Sequence, residues 1–243
     1  MIILAVDSTS PFASAVILDG GKRKGEIFLY GGNTHSESLL PAVDALLRTL
    51  HIGYDDIDCY AVCVGPGSFT GVRIGVSTVK GLAFGRGKPC VPVSTLECLS
   101  RNLAELPEGS ILCPVMDARR QSVFQAFFGI EGGRIARITE DRRISLAELR
   151  EEIENRFPKS ALYLCGDGYA MAKEALAGIA AVKDTPQMLA SPSAYGAAVL
   201  AEELLESGGD LSAYTDRELV PVYLAPSQAE RERTEKSARL YGD

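Results

Sequence analysis

Four small polar residues near the start of the chain, Asp7-Ser8-Thr9-Ser10, could do phosphate chemistry. Backbone amides and hydroxyls at a turn can cradle a phosphate, and a carboxylate beside them can hold a hydrated magnesium ion. Asp7, Ser8 and Thr9 are therefore the candidates for cofactor binding. The same residue types also form Asx and Ser/Thr turns, which only cap the local backbone. The glycine usual for close phosphate approach is missing, so the residues alone favour the structural turn.

A second candidate is the glycine-rich segment Gly65-Pro66-Gly67-Ser68-Phe69-Thr70-Gly71, which links a predicted strand to a predicted helix. Amides exposed at a helix N-terminus can bind an anion. A tight structural turn with Thr70 as the helix N-cap explains the same pattern, and the spacing favours it. The segment is not a Walker loop, because it does not end in a lysine followed by serine or threonine.

A third candidate is Met116-Asp117-Ala118-Arg119-Arg120, which places two arginines beside an aspartate at the end of a predicted strand. Arginine side chains could hold a carboxylate or another anion there. The alternative is a surface turn with a local ion pair of little energetic value, and the charge pattern favours it.

The histidines and cysteines of the sequence do not favour a metal site or a catalytic nucleophile. His35 has Leu39 four residues later, and His51 lies at the far end of the same predicted helix, so one helix face cannot supply two histidine ligands. No nucleophile elbow accompanies either histidine. The six cysteines lie mostly in apolar runs without the close paired spacing of a zinc site. We interpret them as reduced core residues, at positions 59, 63, 90, 98, 113 and 165.

The composition predicts a globular protein. The chain has 243 residues, 46% of them hydrophobic, which is enough for two modest domains. Its net charge of -7 repels phosphate backbones, so we expect no tight binding of nucleic acid by this chain alone. The opening MIILAVD is too short for a signal peptide, and no run approaches about 18 apolar residues. These features predict a cytoplasmic protein that does not enter a membrane.

The elements that must position these residues follow a repeating order. In the first half, apolar and β-branched runs predict strands at 2–7, 13–18 and 25–30. A helix at 38–50, with Ser38 as the cap that accommodates Pro41, a strand at 59–64 and a helix at 71–85 follow. The second half predicts strands at 111–116, 122–128 and 134–138, a helix at 146–157, a strand at 161–165 and a helix after Gly168.

The shared pattern is βββαβα in each half, although coincidence could also produce it. It predicts an α/β protein with a duplicated RNase-H-like, actin-like (ASKHA) fold. We expect an N-terminal domain at 1–106 that includes a connecting helix at 95–106. A C-terminal domain at 107–227 would be closed by a helix at 193–206, and a polar, mobile tail would occupy 228–243.

The predicted helix at 71–85 carries two glycines on one face. Gly71 and Gly75 share that face with Thr78 and Leu82. A glycine inside a helix costs about 1 kcal/mol relative to alanine, so its presence asks for a packing reason. Close approach of a partner helix and close packing inside the chain's own domain are both open.

Six segments, taken in order, resemble the motifs of the TsaB family: ILAVDST, HSESLLP, GPGSFTGVRIG, MDARR, GDG and PVYLAPSQAE, between residues 2 and 230. The resemblance implies an actin-like fold and pairing with the related subunit TsaD. It also implies a part in forming N6-threonylcarbamoyladenosine at position 37 of tRNAs that read ANN codons. In that family TsaD carries the metal and the catalysis, and TsaB is a required non-catalytic scaffold. Thr95 and Leu99 stand here where TsaD has its His-x-x-x-His pair.

The resemblance further implies that the two helices at 39–50 and 71–85 form the face that meets TsaD, and that this apolar face forms a homodimer when TsaD is missing. A TsaE-like ATPase would join the larger complex, tRNA would be contacted only indirectly, and ATP or ADP would bind only within the complex. The interface candidates are His35, Glu37, Leu40, Val43, Leu47, Gly71, Val72, Gly75, Val76, Thr78, Val79 and Leu82.

Two other functions stay open for a chain with this fold. The first is an actin-like ATPase or kinase, whose turnover would be lost in Asp7→Ala. The second is a metal-dependent peptidase, which would need a bound metal. Ser8 stands where actin-like ATPases usually have glycine, and Gln121-Ser122 stands where a glycine and an acidic residue are expected, so the sequence argues against nucleotide binding.

Overall fold

The first half of the chain forms a five-stranded sheet. The structure, a computed structural model, describes residues 1–31, 34–208 and 211–225. The strand order is β3-β2-β1-β4-β5; β1 is antiparallel to β2 and parallel to β4, and β4 is parallel to β5. The elements are β1 (Ile2–Asp7), β2 (Phe12–Asp19), β3 (Lys22–Tyr30), α1 (His35–Leu50), β4 (Cys59–Gly65), α2 (Phe69–Ala83), β5 (Cys90–Ser94) and α3 (Thr95–Arg101).

The second half forms another mixed sheet, with the order β10-β7-β6-β11-β12 and with β8 paired to both β6 and β9. The predicted duplication of the fold is confirmed. The elements are β6 (Ile111–Asp117), β7 (Ser122–Gln125), β8 (Phe128–Glu131), β9 (Arg134–Arg137), β10 (Arg142–Ser145), α4 (Leu146–Arg156), β11 (Leu162–Cys165), α5 (Tyr169–Ala175), β12 (Val182–Lys183), α6 (Gln187–Ala190) and α7 (Tyr195–Glu206).

The predicted single strand at 122–128 is wrong, because the chain leaves the β6 ladder between β7 and β8. The backbone N–H of Phe127 donates to the hydroxyl of Thr139 at 2.8 Å, and Phe127 O accepts from the N–H of Ile138. The strand β5 was not predicted at all, since Pro92 weakens its strand pattern.

The core of the first half lies on both faces of its sheet. All seven residues of β4 are buried, as its continuous apolar run predicts for a strand covered on both sides. On one face, Leu4 and Val6 pack with α1 and α2. On the other face, Ile3 and Ala5 pack with α7. All six cysteines are buried and free, which confirms the interpretation as core residues.

Each half contributes one helix to the other. Helix α3 packs on the second sheet through Leu96 and Leu99, which share a buried cluster with Leu112. Helix α7 packs on the first sheet through an alanine-rich face, so the prediction that it closes the second domain is wrong. The two helices cross closely, because a Cβ at Gly196 would overlap Cys98 O. Small residues on α7 therefore allow α3 and α7 to cross, so that each packs on the sheet of the other half.

The chain after α7 also returns to the first half. The N–H of Cys90 donates to Tyr214 O and the N–H of Val222 to Val64 O, both at 2.7 Å. The side chain of Leu219 lies in the core beneath α1 and α2. The predicted division at 107–227 therefore does not follow the packing, and the predicted tail at 228–243 lies outside the described residues. No helix among the described residues is long and apolar enough to cross a membrane.

Several helix boundaries differ from the sequence expectations. Helix α1 starts one turn earlier than predicted, with Thr34 rather than Ser38 as the N-cap. Helix α2 is capped by Ser68 rather than Thr70, because the Ser68 hydroxyl accepts from the Gly71 N–H at 3.3 Å. The connecting helix predicted at 95–106 ends at Arg101 and continues as turns.

Pro41 lies in the second turn of α1 because of the earlier start, and it is exposed. Its ring nitrogen cannot donate to Glu37 O, and a proline inside a helix costs about 3 kcal/mol relative to alanine. Pro41→Ala should therefore raise the free energy of unfolding by roughly 1–3 kcal/mol, measured by urea titration, with an unchanged far-ultraviolet spectrum. An unchanged or lower unfolding midpoint would place Pro41 back in the first turn.

Candidate functional site

The carboxylate of Asp7 is buried at the carboxyl end of β1. Its Oδ1 accepts hydrogen bonds from the backbone N–H and the hydroxyl of Thr9, at 2.9 and 2.7 Å. Burial raises the pKa of Asp7, while the bonds from Thr9 and the nearby His35 and Cys63 lower it without cancelling the effect of burial. The carboxyl group is therefore held inside the protein in a setting that favours its neutral form.

The loop after β1 is packed directly against the start of α2. The hydroxyl of Ser8 donates to Gly71 O at 2.9 Å, and the N–H of Ser68 donates to Thr9 O at 2.6 Å. A Cβ at Gly71 would overlap Ser8 O, and one at Gly67 would overlap Thr9 O. Residues 7–10 are all at most 2% exposed. A phosphate could reach the three cofactor candidates only if this loop moved away from α2.

The glycine-rich turn before α2 is closed from outside by the returning chain. A Cβ at Gly65 would overlap Val222 O, and Gly65 has a φ of 122°, which an L residue rarely adopts. The guanidinium of Arg73 lies 3.9 Å from the centre of the Phe69 ring and donates from Nε to the Tyr223 hydroxyl at 2.8 Å. The residues around this helix N-terminus are therefore occupied by contacts within the chain.

The equivalent turn of the second half brings two more carboxylates to the carboxyl ends of the strands. Asp117 ends β6, and Asp167 follows β11. Oδ1 of Asp167 accepts from the N–H of Asp117 at 2.9 Å. Burial, together with the charges of Asp117 and Asp7, raises the pKa of Asp167 to about 6. The sequence pointed to Asp167 only through the Gly-Asp-Gly motif, because its neighbours come from distant parts of the chain.

These acidic groups do not form a metal site. Among residues 1–31, 34–208 and 211–225, no group of three or more histidine, cysteine, aspartate or glutamate side chains could hold a metal ion. Nε2 of His35 lies 2.7 Å from Ser10 O, so the imidazole has a structural role as a hydrogen-bond donor.

A cavity of about 1200 Å³ lies elsewhere, between β3, α7, the end of α3 and the turn before β9. Four of its charged lining residues form two ion pairs: Arg23 bonds Glu26, and Arg101 bonds Glu203, each at 2.9 Å. None of the residues in the turns at 7–10, 117–121 and 166–168 lines it. The cavity is therefore separate from the carboxylates of the two turns.

The chain matches the family model described as TsaD: tRNA N6-adenosine threonylcarbamoyltransferase, over residues 30–232. The chain belongs to this family. The chain is similar to the tRNA threonylcarbamoyladenosine biosynthesis protein TsaB of Bacillus subtilis, 29% identical over 95% of this chain and 96% of that protein. TsaB of Haemophilus influenzae is 34% identical over 51% of this chain and 52% of that protein.

Among solved structures, YeaZ from Pseudomonas aeruginosa has the same fold, with a TM-score of 0.73 and 23% identity over 92% of this chain and 99% of that one. The relatives named TsaB and this shared fold confirm the resemblance to the TsaB family.

The interface expected from the TsaB resemblance needs a correction. Seven of its twelve residues are buried in the chain's own core, where a partner cannot touch them: Val43, Leu47, Gly71, Val72, Gly75, Val76 and Val79. The reason is that they form the inner faces of α1 and α2 against the first sheet. The other five reach the surface: Glu37 and Leu40 are exposed, and His35, Thr78 and Leu82 are half-buried.

The glycine face of α2 packs inside the chain's own core rather than against a partner. A Cβ at Gly75 would lie 2.7 Å from the Ser8 hydroxyl oxygen and 3.4 Å from a methyl of Val62. By contrast, Gly81 is exposed, and a Cβ there would meet nothing within 4 Å. The open glycine of the helix is therefore Gly81, which sequence reasoning did not single out.

Gly75→Leu should destabilise the fold, because a leucine side chain has no room beside Ser8 and Val62. Overpacking of this kind costs roughly 1–3 kcal/mol or more, which corresponds to a fall in melting temperature of about 2–12 °C for a chain of this size. Gly81→Leu is the matched control and should keep or raise the melting temperature. Equal melting temperatures for the two variants would show that Gly75 also faces open space.

Asp167→Asn should change how stability depends on pH. Because the folded pKa of about 6 lies above that of an unfolded aspartate, Asp167 makes wild-type stability fall as pH rises from about 4 to 6, and then stay level. Asparagine keeps the acceptor for the Asp117 N–H without the charge. The unfolding free energy of the variant relative to wild type should therefore rise by roughly 1–3 kcal/mol between pH 4 and 7. A difference that is the same at every pH would contradict the raised pKa.

Proposed function

We propose that this chain is a non-catalytic partner subunit of the machinery that forms N6-threonylcarbamoyladenosine in tRNA, and that it acts by pairing with a TsaD-type subunit. The observation that carries the proposal is that the loop after β1 is packed closely against α2. Ser8 and Thr9 bond the start of α2 instead of opening toward a ligand. The relatives named TsaB supply the pathway, and this geometry supports a role without chemistry of its own.

The same geometry separates the proposal from an actin-like ATPase or kinase. Such an enzyme needs backbone amides free to hold phosphates and a carboxylate placed for a metal. Here the N–H of Thr9 bonds Asp7, and Asp7 is buried in a setting that raises its pKa. A nucleotide, ATP or ADP, would bind only if complex formation rearranged this loop.

Catalysis as a metal-dependent peptidase is also unsupported by the side chains. Thr95 and Leu99, at the places of the TsaD histidine pair, are both buried. Leu99 belongs to the apolar cluster that joins α3 to the second sheet. The positions that would hold the metal therefore serve the packing of the two halves.

The outward faces of α1 and α2 are the proposed docking surface for the TsaD-type subunit. On α2, the outward positions recur every three or four residues, as they must along one side of a helix. Phe84 is 76% exposed and Leu40 of α1 is 47% exposed, so the surface offers apolar area for burial. The outward row of α2 consists of Thr70, the half-buried Ile74, Ser77 and Gly81, and it continues to Phe84, the residue that follows the helix.

Small side chains at the middle of this row, Ser77 and Gly81, would let a partner helix come close. Without the TsaD-type subunit, the same surface would pair two copies of this chain as a homodimer. A TsaE-like ATPase would join the paired subunits, and tRNA would reach the catalytic centre on the TsaD side. All of these steps would take place in the cytoplasm.

Gly81→Leu tests the docking surface. The added side chain should leave the fold intact but hold a partner helix away, which costs roughly 1–3 kcal/mol, or about a 5- to 150-fold loss of affinity for the TsaD-type subunit. The measurement is calorimetric titration with that subunit, together with reconstituted tRNA modification. Ala147→Leu, which adds a leucine at an exposed position of α4, is the control and should pair normally.

Normal pairing by Gly81→Leu would remove α2 from the interface. Failure of the wild-type chain to pair with the TsaD-type subunit, or to support tRNA modification, would contradict the proposed function itself. ATP turnover by the chain alone that disappears in Asp7→Ala would favour the enzyme alternative.

A further inference from the structure

The turn between β6 and β7 has an unusual backbone. Three consecutive residues other than glycine, Arg119, Arg120 and Gln121, have φ values of 64°, 53° and 56°. The left-handed region costs an L residue about 1–2 kcal/mol, and glycine or asparagine would adopt it at less cost. Because two arginines adopt the left-handed conformation at this cost, we expect their side chains to have a function.

The strain is held in place by a set of local hydrogen bonds. The N–H of Arg119 donates to Asp117 Oδ1 at 2.7 Å, and the N–H of Ala118 donates to Ser122 O at 3.1 Å. The start of α4 adds a bond from the Leu146 N–H to Gln121 O at 3.0 Å. Strained residues persist only where the surroundings fix them, and such positions concentrate at functional sites. The turn is a rigid platform for its arginines.

Both arginines are presented at the surface. The side chain of Arg119 is 79% exposed and lies 3.3 Å from Asp117 Oδ2, an exposed ion pair that contributes little energy and can be exchanged for another anion. Arg120 is also exposed. Two guanidinium groups are thus exposed at successive positions of one turn, on a chain whose net charge is -7.

We infer that this turn binds phosphate groups of the RNA that the paired subunits handle. Arginine forks match phosphate oxygens with two hydrogen bonds, and phosphodiester groups follow one another along an RNA backbone. RNA fits better than a free nucleotide, because small ligands are mostly enclosed and Arg119 is open to solvent. The inference rests on the proposed function, which supplies the RNA. It gives this subunit a direct contact where the TsaB resemblance implied only an indirect one.

The test replaces the cations without disturbing the backbone. In Arg119→Gly/Arg120→Gly the turn keeps its left-handed conformation at no steric cost, so the melting temperature should stay within a few degrees of wild type. In Arg119→Lys/Arg120→Lys the charge is kept. The control Arg134→Ala/Lys159→Ala removes two exposed cations elsewhere in the same half. Each variant is first paired with the TsaD-type subunit and then titrated with an unmodified tRNA that reads ANN codons, at several salt concentrations.

The glycine pair should bind tRNA about tenfold more weakly than wild type at low salt, with a log-log salt slope shallower by about 1–2. The lysine pair should recover most of the affinity, and the control should bind like wild type. The inference is overturned if the glycine pair matches wild type in affinity and slope, if the control loses as much, if the complex binds no tRNA, or if the change appears in binding of ATP rather than tRNA.

Pairing is scored separately, by co-purification, so failure of the proposed function is distinguishable from failure of this inference. If the subunits do not pair, the same titrations on this chain alone at about 50 mM salt decide the question. Indistinguishable curves for wild type and the glycine pair would then overturn it.

Discussion

The close approach of α2 to the loop after β1 is the constraint on which the rest of the molecule depends. Gly71 and Gly75 let the helix lie against Ser8, where any larger residue would overlap the loop. This contact fixes which face of α2 points inward, so Val72, Val76 and Val79 enter the core. It also bonds Ser8 and Thr9 to the start of α2. One packing contact therefore determines both which face of the helix is exposed and how tightly the loop is held against it.

The crossing of α3 and α7 connects the two sheets in a comparable way. Gly196 of α7 touches the backbone of Cys98, and each helix packs on the sheet of the other half. The carboxyl ends of β1 and β6 are thereby brought near enough for Asp7 to influence the pKa of Asp167. The duplicated architecture thus keeps one turn after β1 and one after β6. The side chains of the first turn are buried in packing, whereas the second turn exposes two arginines.

Much of this could be predicted from the sequence, because local patterns carry it. The strand β1 and the buried strand β4 follow from their continuous apolar runs, and α4 follows from its helical period. The motifs that resemble the TsaB family also indicated the duplicated fold correctly. Strand β5 escaped prediction because its proline weakens the pattern, and helix N-caps shifted because several hydroxyl residues compete for the position.

What the sequence could not show depends on contacts between distant residues. Periodicity identifies Gly71 and Gly75 as sharing a face but cannot say whether that face points inward. The exchange of α7 and the pairing of Asp167 with Asp117 join residues far apart in the chain, so no local pattern reveals them. The left-handed turn at Arg119 was visible only as a charge pattern, because its backbone conformation is set by bonds to Ser122 and Leu146.

Hydrogen exchange measured by mass spectrometry tests the central claim. The claim is that one face of α2 packs against the loop after β1 and the opposite face binds a partner. Exchange would be compared for the chain alone, with magnesium and ATP, and with the TsaD-type subunit. We expect the subunit to protect the peptides of α1 and α2, and ATP to leave residues 7–12 unchanged in the chain alone. Protection of residues 7–12 by ATP, without protection of α2 by the subunit, would contradict it.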